Sequence, residues 1–247
     1  MRHLVLYSGG PDSLITYHKV VTDLAKEGDE VDTIYFDLRH RYSKQERLAI
    51  ERTLPNTIRE TVLYGLGMWE DTEAYIHHRN AFLILGASKH LGQGDQSSHL
   101  DGRLWLTVQK DEMSIPDRDP MFLSKMEEVL LKLNQRVKIA TPWEDYDKTD
   151  MVNWYVSNGG DIGLLGKTWS CYSPVQSVVE IFGDGGWIPC GDCPACFRRA
   201  VAFKLNGIEE HYAQDPFASD TAGIYQMRVV TGQYSADRAA RILEALK

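Results

Sequence analysis

Four cysteines lie close together in the second half of the chain, with the spacing C-x18-C-x2-C-x2-C: Cys171, Cys190, Cys193 and Cys196. Two CxxC steps that share Cys193 bring three thiolates within reach of one ion, and Cys171 adds a fourth from a separate segment. Four thiolates in a tetrahedron suit a structural Zn²⁺, one per chain, with no open position for chemistry. The spacing also leaves open a pair of disulfides, inert buried thiols or an iron–sulfur cluster.

A second candidate is the segment SGGPDS, residues 8–13, which follows the apolar run LVLY. Glycines at the end of a strand allow a sharp turn, and the unpaired N–H groups of such a turn and of a following helix bind phosphate. The segment lacks the lysine and the spacing of GxxxxGK[ST], and it is not GxGxxG. The competing interpretation is an ordinary strand-to-helix turn with Ser or Asp as its N-cap.

Strands and helices alternate around these two segments. The residue pattern predicts strands at 2–7, 31–38, 57–64, 103–109 and 137–142, and helices at 13–26, 43–54, 73–91, 119–134 and 147–159. This alternation predicts an α/β fold with a mainly parallel, doubly wound sheet and helices on both faces. Ser43 and Glu46 fit a capping box at the start of the second helix.

The rest of the chain is less regular. Residues 92–102 are predicted to form a mobile surface loop. From Gly159 the pattern is irregular until a helix begins near Cys193, and the end of the chain predicts one or two more helices.

Three polar groups follow predicted strands or begin predicted helices, where a doubly wound sheet collects its ligands. The run RHRYSK begins with Arg39 and would offset charge on a nucleotide or a substrate carboxylate, with a solvated turn as the alternative. Lys148 lies in the acidic first turn of a helix, where a cation is unfavourable, so it is a candidate to stabilise charge on a leaving group. Arg79 and Asn80 begin the apolar run AFLILGA, and a helix with a polar first turn of no function would look the same.

Composition limits the classes of function. The chain has 247 residues, of which 43% are hydrophobic and 25% charged, enough for one large α/β domain. Its net charge of −8 argues against a broad basic surface for duplex nucleic acid. It has no apolar run of about 18 residues and too few apolar residues near the start for a signal peptide, so we expect a cytoplasmic protein.

Taken together, these motifs resemble those of the 7-cyano-7-deazaguanine synthase (QueC) family of N-type ATP pyrophosphatases. SGGPDS after the first strand is similar to the family's pyrophosphate loop, and WSCY with CGDCPACFRRA is similar to its zinc segment. YFDLRHRYSKQE, IHHRNAFLILGAS, KDEMSIPDRDPMF and TPWEDYDKTDMV resemble, in this order, its other segments. The resemblance spans about residues 2 to 205.

The resemblance implies an adenine nucleotide alpha hydrolase-like fold and a function. That function is the ATP-dependent conversion of 7-carboxy-7-deazaguanine and ammonia to 7-cyano-7-deazaguanine through adenylated intermediates. Asp12, Lys148 and Arg79 would be catalytic, and Asp12 would also contact Mg²⁺. The resemblance implies that ATP is bound by Ser8, Gly9, Gly10, Asp12, Ser13, Arg39 and Asn80.

The segment KDEMSIPDRD resembles the family's substrate loop. Its carboxylates suit the amine edge of a guanine-like base, although a solvated loop is the alternative. The candidate contacts are Asp111, Asp117, Arg118 and Asp119. Trp169 and Tyr172, which flank Cys171, are candidates to stack on a flat heterocycle.

Four features depart from the family pattern. The segment between Cys171 and Cys190 is long, Lys110 replaces an acid, and Arg118 stands where a cysteine often follows PD. The fourth is a stretch of about forty residues past the cysteine helix. They leave open a relative that stops at the amide, or one that attaches a deazaguanine to a protein in a defence system. A tRNA-modifying pyrophosphatase would need a free cysteine pair and a basic surface, and a non-catalytic zinc-stabilised module would bind ATP without producing AMP.

The resemblance also implies a homodimer that acts on small molecules, with no membrane and no direct nucleic-acid partner. We expect a pyrophosphatase core at 1–167, a zinc segment at 168–205 packed on the same domain, and a C-terminal helical extension at 206–247.

Overall fold

A five-stranded sheet forms the centre of the protein. The computed structural model describes residues 1–61, 66–71, 76–91, 102–112, 115–176 and 186–247, with the backbone alone at positions 61 and 111. The strands are β1 (Arg2–Leu6), β2 (Glu30–Asp37), β3 (Ile58–Thr61), β4 (Gly102–Trp105) and β5 (Val137–Ala140). Their order is β3-β2-β1-β4-β5, and every neighbouring pair is parallel. The order reverses at β1, as in a doubly wound sheet, and the predicted fold class is confirmed.

Helices connect the strands and extend beyond the sheet. They are α1 (Pro11–Lys19), α2 (Ser43–Thr53), α3 (Arg79–Leu91), α4 (Pro120–Lys132), α5 (Lys148–Ser157), α6 (Ile162–Gly166), α7 (Pro194–Lys204), α8 (Asp220–Val230) and α9 (Ala236–Ala245). A short antiparallel ribbon joins β6 (Val175–Gln176) to β7 (Trp187–Ile188). Where the structure describes the region predicted to be irregular, it contains one short helix and this ribbon. Among the described residues, no helix combines the length and apolar character needed to cross a bilayer.

Both faces of the sheet are buried because helices cover them. Successive side chains of a strand point to opposite faces, so neighbouring residues of one strand pack against different helices. Ile34 and Phe36 belong to a core cluster that includes side chains of α3 and α4. Tyr35, between them, belongs to a second cluster that includes side chains of α1 and α5. The two clusters hold α1 and α5 on one face of β2 and α3 on the other.

Two predicted elements are shorter than the residue pattern suggested. The helix predicted from residue 73 begins only at Arg79, since Ile76 forms a bridge with Glu70 and His78 has a φ of 59°. The strand predicted at 103–109 ends at Trp105. The residues after it leave the ladder and become available to line a cavity. Positions 92–101 of the predicted mobile loop lie outside the described residues.

The predicted capping box at α2 is wrong. The N-cap is Tyr42, and no side chain caps the helix. The Ser43 hydroxyl lies 3.2 Å from Nδ1 of His40, and the Glu46 carboxylate accepts a hydrogen bond from the Tyr35 hydroxyl at 3.0 Å. Partners from the β2 region therefore replace the local cap that the sequence pattern favoured.

The end of the chain contains two helices, α8 and α9, that pack against α7. Phe197 and Val201 of α7 form a buried cluster with Tyr225 of α8 and with Ile242 and Ala245 of α9. The division into a core, a zinc segment and a C-terminal extension stays a prediction. The packing does bring the C-terminal helices next to the cysteine-bearing helix.

Candidate active site and metal centre

A cavity of about 450 Å³ opens where the carboxyl ends of β1, β2 and β4 meet the first turns of α1, α3 and α5. Parallel sheets of this kind bind their ligands at that edge, next to the point where the strand order reverses. Part of its wall comes from residues that follow the sheet in sequence. These include Trp169, Ser170, Tyr172, Arg198, Tyr225, Arg238 and Arg241.

The glycine loop after β1 has the shape of an anion-binding turn. Gly9 has a φ of 74°, and a Cβ at this position would lie 2.9 Å from the carbonyl oxygen of Glu46. The Ser13 hydroxyl donates to the carbonyl of Gly10 at 3.0 Å and accepts from the N–H of Ser8 at 3.2 Å. Gly10 itself is the N-cap of α1, and no side chain caps the helix. The competing interpretation of a Ser or Asp N-cap is therefore wrong, and the first N–H groups of α1 are left to bind an anion.

Asp12 in the first turn of α1 faces Lys148, the first residue of α5. Lys148 Nζ donates to the two carboxylate oxygens of Asp12 at 2.7 and 2.6 Å. Gln109, which follows β4, donates from Nε2 to the same carboxylate at 3.0 Å. The structure thus brings together two of the predicted catalytic residues and adds Gln109, which no motif in the sequence marked.

The start of α5 is held by the C-terminal helix α9. Asp147 is the N-cap of α5 and forms a reciprocal capping box with Asp150. Arg241 of α9 donates to Asp147 from one guanidinium nitrogen and to Asp150 from another, the second at 2.7 Å. Burial raises the pKa of Asp147 above its usual range. Burial is the largest effect on the pKa of Asp150 and acts to raise it, but the hydrogen bond and charge of Arg241 together with the hydrogen bonds to Asp147 outweigh burial, and the pKa is lowered.

Arg79 and Asn80 begin α3 and line the cavity, and their contact with a nucleotide stays a prediction. Asn80 donates from Nδ2 to the backbone carbonyl of Asp117 at 3.0 Å, and its own N–H points to the Asp117 carboxylate at 3.5 Å. The Asp117 side chain is buried and is not part of the cavity wall. It contacts the start of α3, so the structure does not place it where it would bind a substrate.

Arg118 lines the cavity and forms an ion pair with Glu112, another wall residue. Burial acts to raise the pKa of Glu112, but the charges of Arg118 and then Arg198 outweigh it, so the pKa is lowered. Lys148 contributes in the same direction. Glu112 is therefore an ionised carboxylate that is paired with Arg118 and influenced by two further cations. Sequence reasoning missed it because one acid in a charged loop carries no signal.

Other predicted site residues lie away from the cavity wall. The Arg39 side chain is 65% exposed and is drawn towards Asp37, while the neighbouring His40 lines the cavity. Asp119 is the N-cap of α4 and accepts from the N–H of Phe122 at 2.6 Å. Asp111 has only its backbone among the described residues, and so its predicted contact with a substrate stays a prediction.

The four cysteines form one compact cluster. Their sulfur atoms all lie within 4.8 Å of one another, and none is in a disulfide. The alternative of paired disulfides is therefore wrong. Three of the four are buried, and Cys190 is partly buried. The cluster fits a tetrahedral metal ion with four thiolate ligands.

Backbone groups around the cluster support thiolates. The N–H groups of Ser173 and Cys190 donate to the Cys171 sulfur at 3.3 and 3.2 Å. The N–H of Cys196 donates to the Cys193 sulfur at 3.4 Å. Hydrogen bonds from the three neighbouring thiols lower the pKa of Cys193, because a thiolate there is surrounded by donors. Four sulfurs so placed repel one another once ionised, and a divalent cation would relieve that repulsion.

The cysteine cluster is attached to the glycine loop. The N–H of Trp169 donates to the carbonyl of Gly9 at 2.9 Å. On the other side, Arg199 of α7 is buried, donates to both carboxylate oxygens of Glu210 at 2.8 Å and reaches the Thr168 hydroxyl at 2.8 Å. The metal centre would thus fix one wall of the cavity without entering it.

Comparisons with known proteins agree with this arrangement. A family model described as queuosine biosynthesis protein QueC matches residues 68–207. The 7-cyano-7-deazaguanine synthase of Acaryochloris marina is 28% identical over 245 residues, with 85% of this chain and 97% of the relative covered. That of Alteromonas mediterranea is 26% identical over 227 residues, with 83% of this chain and 94% of the relative covered.

A solved protein from Methanocaldococcus jannaschii, described as a predicted subunit of tRNA methyltransferase, matches with a TM-score of 0.37 at 12% identity. The match covers 68% of this chain and 92% of that protein, and a TM-score this low establishes neither a shared fold nor a shared function.

The fold and site define a doubly wound α/β enzyme with a metal centre candidate beside its ligand cavity. The family model matches more than half of the chain, and the chain belongs to the QueC family of queuosine biosynthesis proteins. The predicted family resemblance is confirmed.

Proposed function

We propose that the protein catalyses the ATP-dependent conversion of 7-carboxy-7-deazaguanine and ammonia to 7-cyano-7-deazaguanine. The observation that carries the proposal is the Asp12–Lys148 pair at the mouth of an uncapped glycine turn, in a cavity walled by the cysteine segment. The relatives named 7-cyano-7-deazaguanine synthase support the same reaction.

The reaction needs ATP because a carboxylate resists attack by ammonia. A carboxylate oxygen attacks the α-phosphorus of ATP, pyrophosphate leaves, and the acyl adenylate forms. Ammonia then attacks the acyl carbon, and AMP and a proton leave to give the amide. A second ATP adenylates the amide oxygen in the same way, and loss of AMP with the remaining N–H protons gives the nitrile. The protein's part is to position the reactants and to stabilise phosphate charge.

Different residues of the cavity would bind the pyrophosphate, the phosphates and the metal ion. The uncapped N–H groups of α1 and the hydroxyls of Ser8 and Ser13 would hold the departing pyrophosphate. Lys148 would move from Asp12 to the phosphates, and Asp12 would then be free to hold Mg²⁺, which supplies a second positive charge there. Arg79, with no carboxylate of the described residues within 4.0 Å, would add a further cation.

The cysteine cluster would hold a structural Zn²⁺ through Cys171, Cys190, Cys193 and Cys196. With four protein ligands the ion would have no open position, so it would stabilise the wall of the cavity and take no part in bond making. The chain has only these four cysteines, and their shared cluster leaves no separate thiol pair for tRNA thiolation. The thiolase alternative is therefore disfavoured.

The experiment is mass spectrometry of the small molecules formed by zinc-loaded protein from ATP, Mg²⁺, ammonium and 7-carboxy-7-deazaguanine. A nitrile together with AMP is the expected result. An amide as the final product would mean that the second activation is lost, and a mass increase of an added protein would indicate conjugation. Absence of both AMP and a new base from zinc-loaded protein would refute the proposal. Light scattering of the same sample tests the homodimer that the family implies.

A further inference from the structure

We infer that Arg198, together with the hydroxyls of Tyr172 and Tyr225, forms a subsite for an oxyanion, and that its occupant is the carboxylate of the acyl substrate. The inference rests on the proposed function for the identity of that substrate. Arg198 lies on α7, is partly buried and lines the cavity. Its two terminal nitrogens point to the Tyr225 and Tyr172 hydroxyls, each at 3.4 Å.

Among the described residues, the guanidinium of Arg198 has no acidic side chain in direct contact. Both of its hydrogen bonds are long and go to neutral oxygens, and no carboxylate of the described residues lies within 4.0 Å. The carboxylate that influences it, Glu112, is already paired with Arg118. A cation that is partly removed from water and has no carboxylate in direct contact is unfavourable, and a bound anion would supply that contact.

The neighbouring Arg199 shows what a structural arginine looks like on the same helix. Arg199 is buried, donates to both oxygens of Glu210 at 2.8 Å and reaches Thr168. Its charge and its donors are satisfied within the protein. Arg198 faces the cavity with its donors only weakly used, so the two adjacent arginines have different tasks.

The position of Arg198 suits a carboxylate next to the phosphate loop. Arg198, Arg118 and Lys148 all line the cavity together with Glu112, and the charges of all three lower the pKa of Glu112. Lys148 in turn contacts Asp12 of the glycine loop. An acyl group held by Arg198 would therefore lie in the same cavity as the nucleotide that must activate it.

Aromatic rings on both sides of Arg198 favour a flat acid over a flexible one. The ring of Tyr172 lies 5.2 Å from that of Tyr42, and the ring of Tyr225 lies 4.5 Å from that of Phe197. A planar heterocycle fits against such walls, and the planar guanidinium can hold both carboxylate oxygens. Because Tyr225 lies on α8, the C-terminal helices would be part of the substrate site.

The test compares two ligands of nearly the same shape, of which one has a charged carboxylate and the other a neutral carboxamide at the group concerned. Calorimetry measures the binding of 7-carboxy-7-deazaguanine and of its 7-carboxamide to zinc-loaded protein without nucleotide. We expect Arg198→Leu to weaken binding of the acid at least about tenfold while binding of the amide changes less than about threefold. The affinity of Arg198→Lys for the acid should lie between those of the wild type and Arg198→Leu. Lysine keeps the positive charge but cannot donate two parallel hydrogen bonds to a carboxylate.

Arg136→Leu is the matched control. Arg136 is exposed and directly precedes β5, at the opposite edge of the sheet from the cavity, so neither affinity should change. Zinc content and the circular dichroism spectrum verify that each variant is folded. An unchanged ratio of acid to amide affinity in both Arg198 variants would overturn the inference.

A parallel titration with ATP alone distinguishes the source of the oxyanion. Weaker ATP binding in Arg198→Leu, with unchanged binding of the acid, would assign the subsite to a phosphate and overturn the carboxylate. If the wild-type protein binds neither deazaguanine, the proposed function fails. In that case an unchanged ATP affinity in Arg198→Leu overturns the oxyanion subsite as well, whereas a weakened one keeps the subsite and assigns it to phosphate.

Discussion

Replacing Arg241 by Met should destabilise the protein and do so most strongly near neutral pH. Arg241 joins the C-terminal helix α9 to Asp147 and Asp150 at the start of α5, directly beside Lys148. Methionine keeps an unbranched apolar stem but removes the charge and both hydrogen bonds. The start of α5 would then contain two carboxylates with no cation to hold them.

The magnitude follows from the exposure of the three side chains, which is 29% for Arg241, 16% for Asp147 and 35% for Asp150. A hydrogen bond to a buried charge contributes about 1.5–3 kcal/mol, and an exposed ion pair contributes about 0.2–1 kcal/mol. Because all three side chains are partly exposed, each of the two hydrogen bonds from Arg241 should contribute about 1 kcal/mol, which lies between these two ranges. The expected loss is therefore about 2 kcal/mol, or about 4–8 °C in Tm for a chain of this size.

The pH dependence follows from the two carboxylates. Burial raises the pKa of Asp147, so ionised Asp147 costs stability above that pKa, and Arg241 reduces this cost. The pKa of Asp150 is lowered, with Arg241 contributing, so its stabilisation is present above the unfolded pKa and is lost as pH falls through the folded value. Without Arg241 both pKa values rise. The difference between variant and wild type should thus be largest near neutral pH and shrink as the medium becomes acidic.

Urea denaturation of zinc-loaded wild type, Arg241→Met and Arg241→Lys at several pH values measures this difference. Loss of zinc at acidic pH affects all three proteins and cancels in the comparison. Arg136→Met, on the exposed surface, should match the wild type. A loss below about 0.5 kcal/mol at neutral pH, or one that grows as pH falls, would refute the reasoning.

Three further predictions concern the loop, the lysine and the cysteines. Lys148→Met should reduce AMP formation at least about 100-fold, measured by AMP release in single turnovers, and an unchanged rate would remove Lys148 from catalysis. Gly9→Ala should cost about 1–3 kcal/mol in urea denaturation, because of its φ of 74° and the contact at 2.9 Å. Gly28→Ala, with a φ of 87° and nothing within 4 Å, is its control, and equal losses would contradict the close contact. Cys193→Ser should lower both the zinc content from one ion per chain and Tm, whereas full retention of zinc would contradict a four-thiolate site.

Local patterns in the sequence were sufficient for the fold class and for two motifs. The alternation of strands and helices predicted the parallel sheet, because hydrophobic periodicity reports which face of an element is buried. The cysteine spacing predicted a cluster that the structure brings within 4.8 Å. The glycines of the loop predicted a turn that only glycine can make at position 9, since backbone geometry there excludes a side chain.

Local reasoning failed where a tertiary partner competed with a local one. Ser43 and Glu46 have the spacing of a capping box, yet Glu46 accepts from Tyr35 instead. Asp117 is an acid in a candidate substrate loop, yet it is buried against Asn80. A sequence pattern ranks local partners only, and a side chain takes whichever partner gives the lower free energy in the folded chain.

The sequence by itself determined the class of fold, the glycine turn after β1 and the set of candidate metal ligands, because each depends on neighbouring residues or on backbone conformation. The tertiary structure alone decided that Gln109, Glu112, Arg198 and Arg241 belong to the site. Gln109 lies 97 positions from Asp12, and Arg241 lies 94 positions from Asp147. Contacts over such separations depend on how helices pack on the sheet, and the packing follows from the whole set of buried side chains rather than from any one segment.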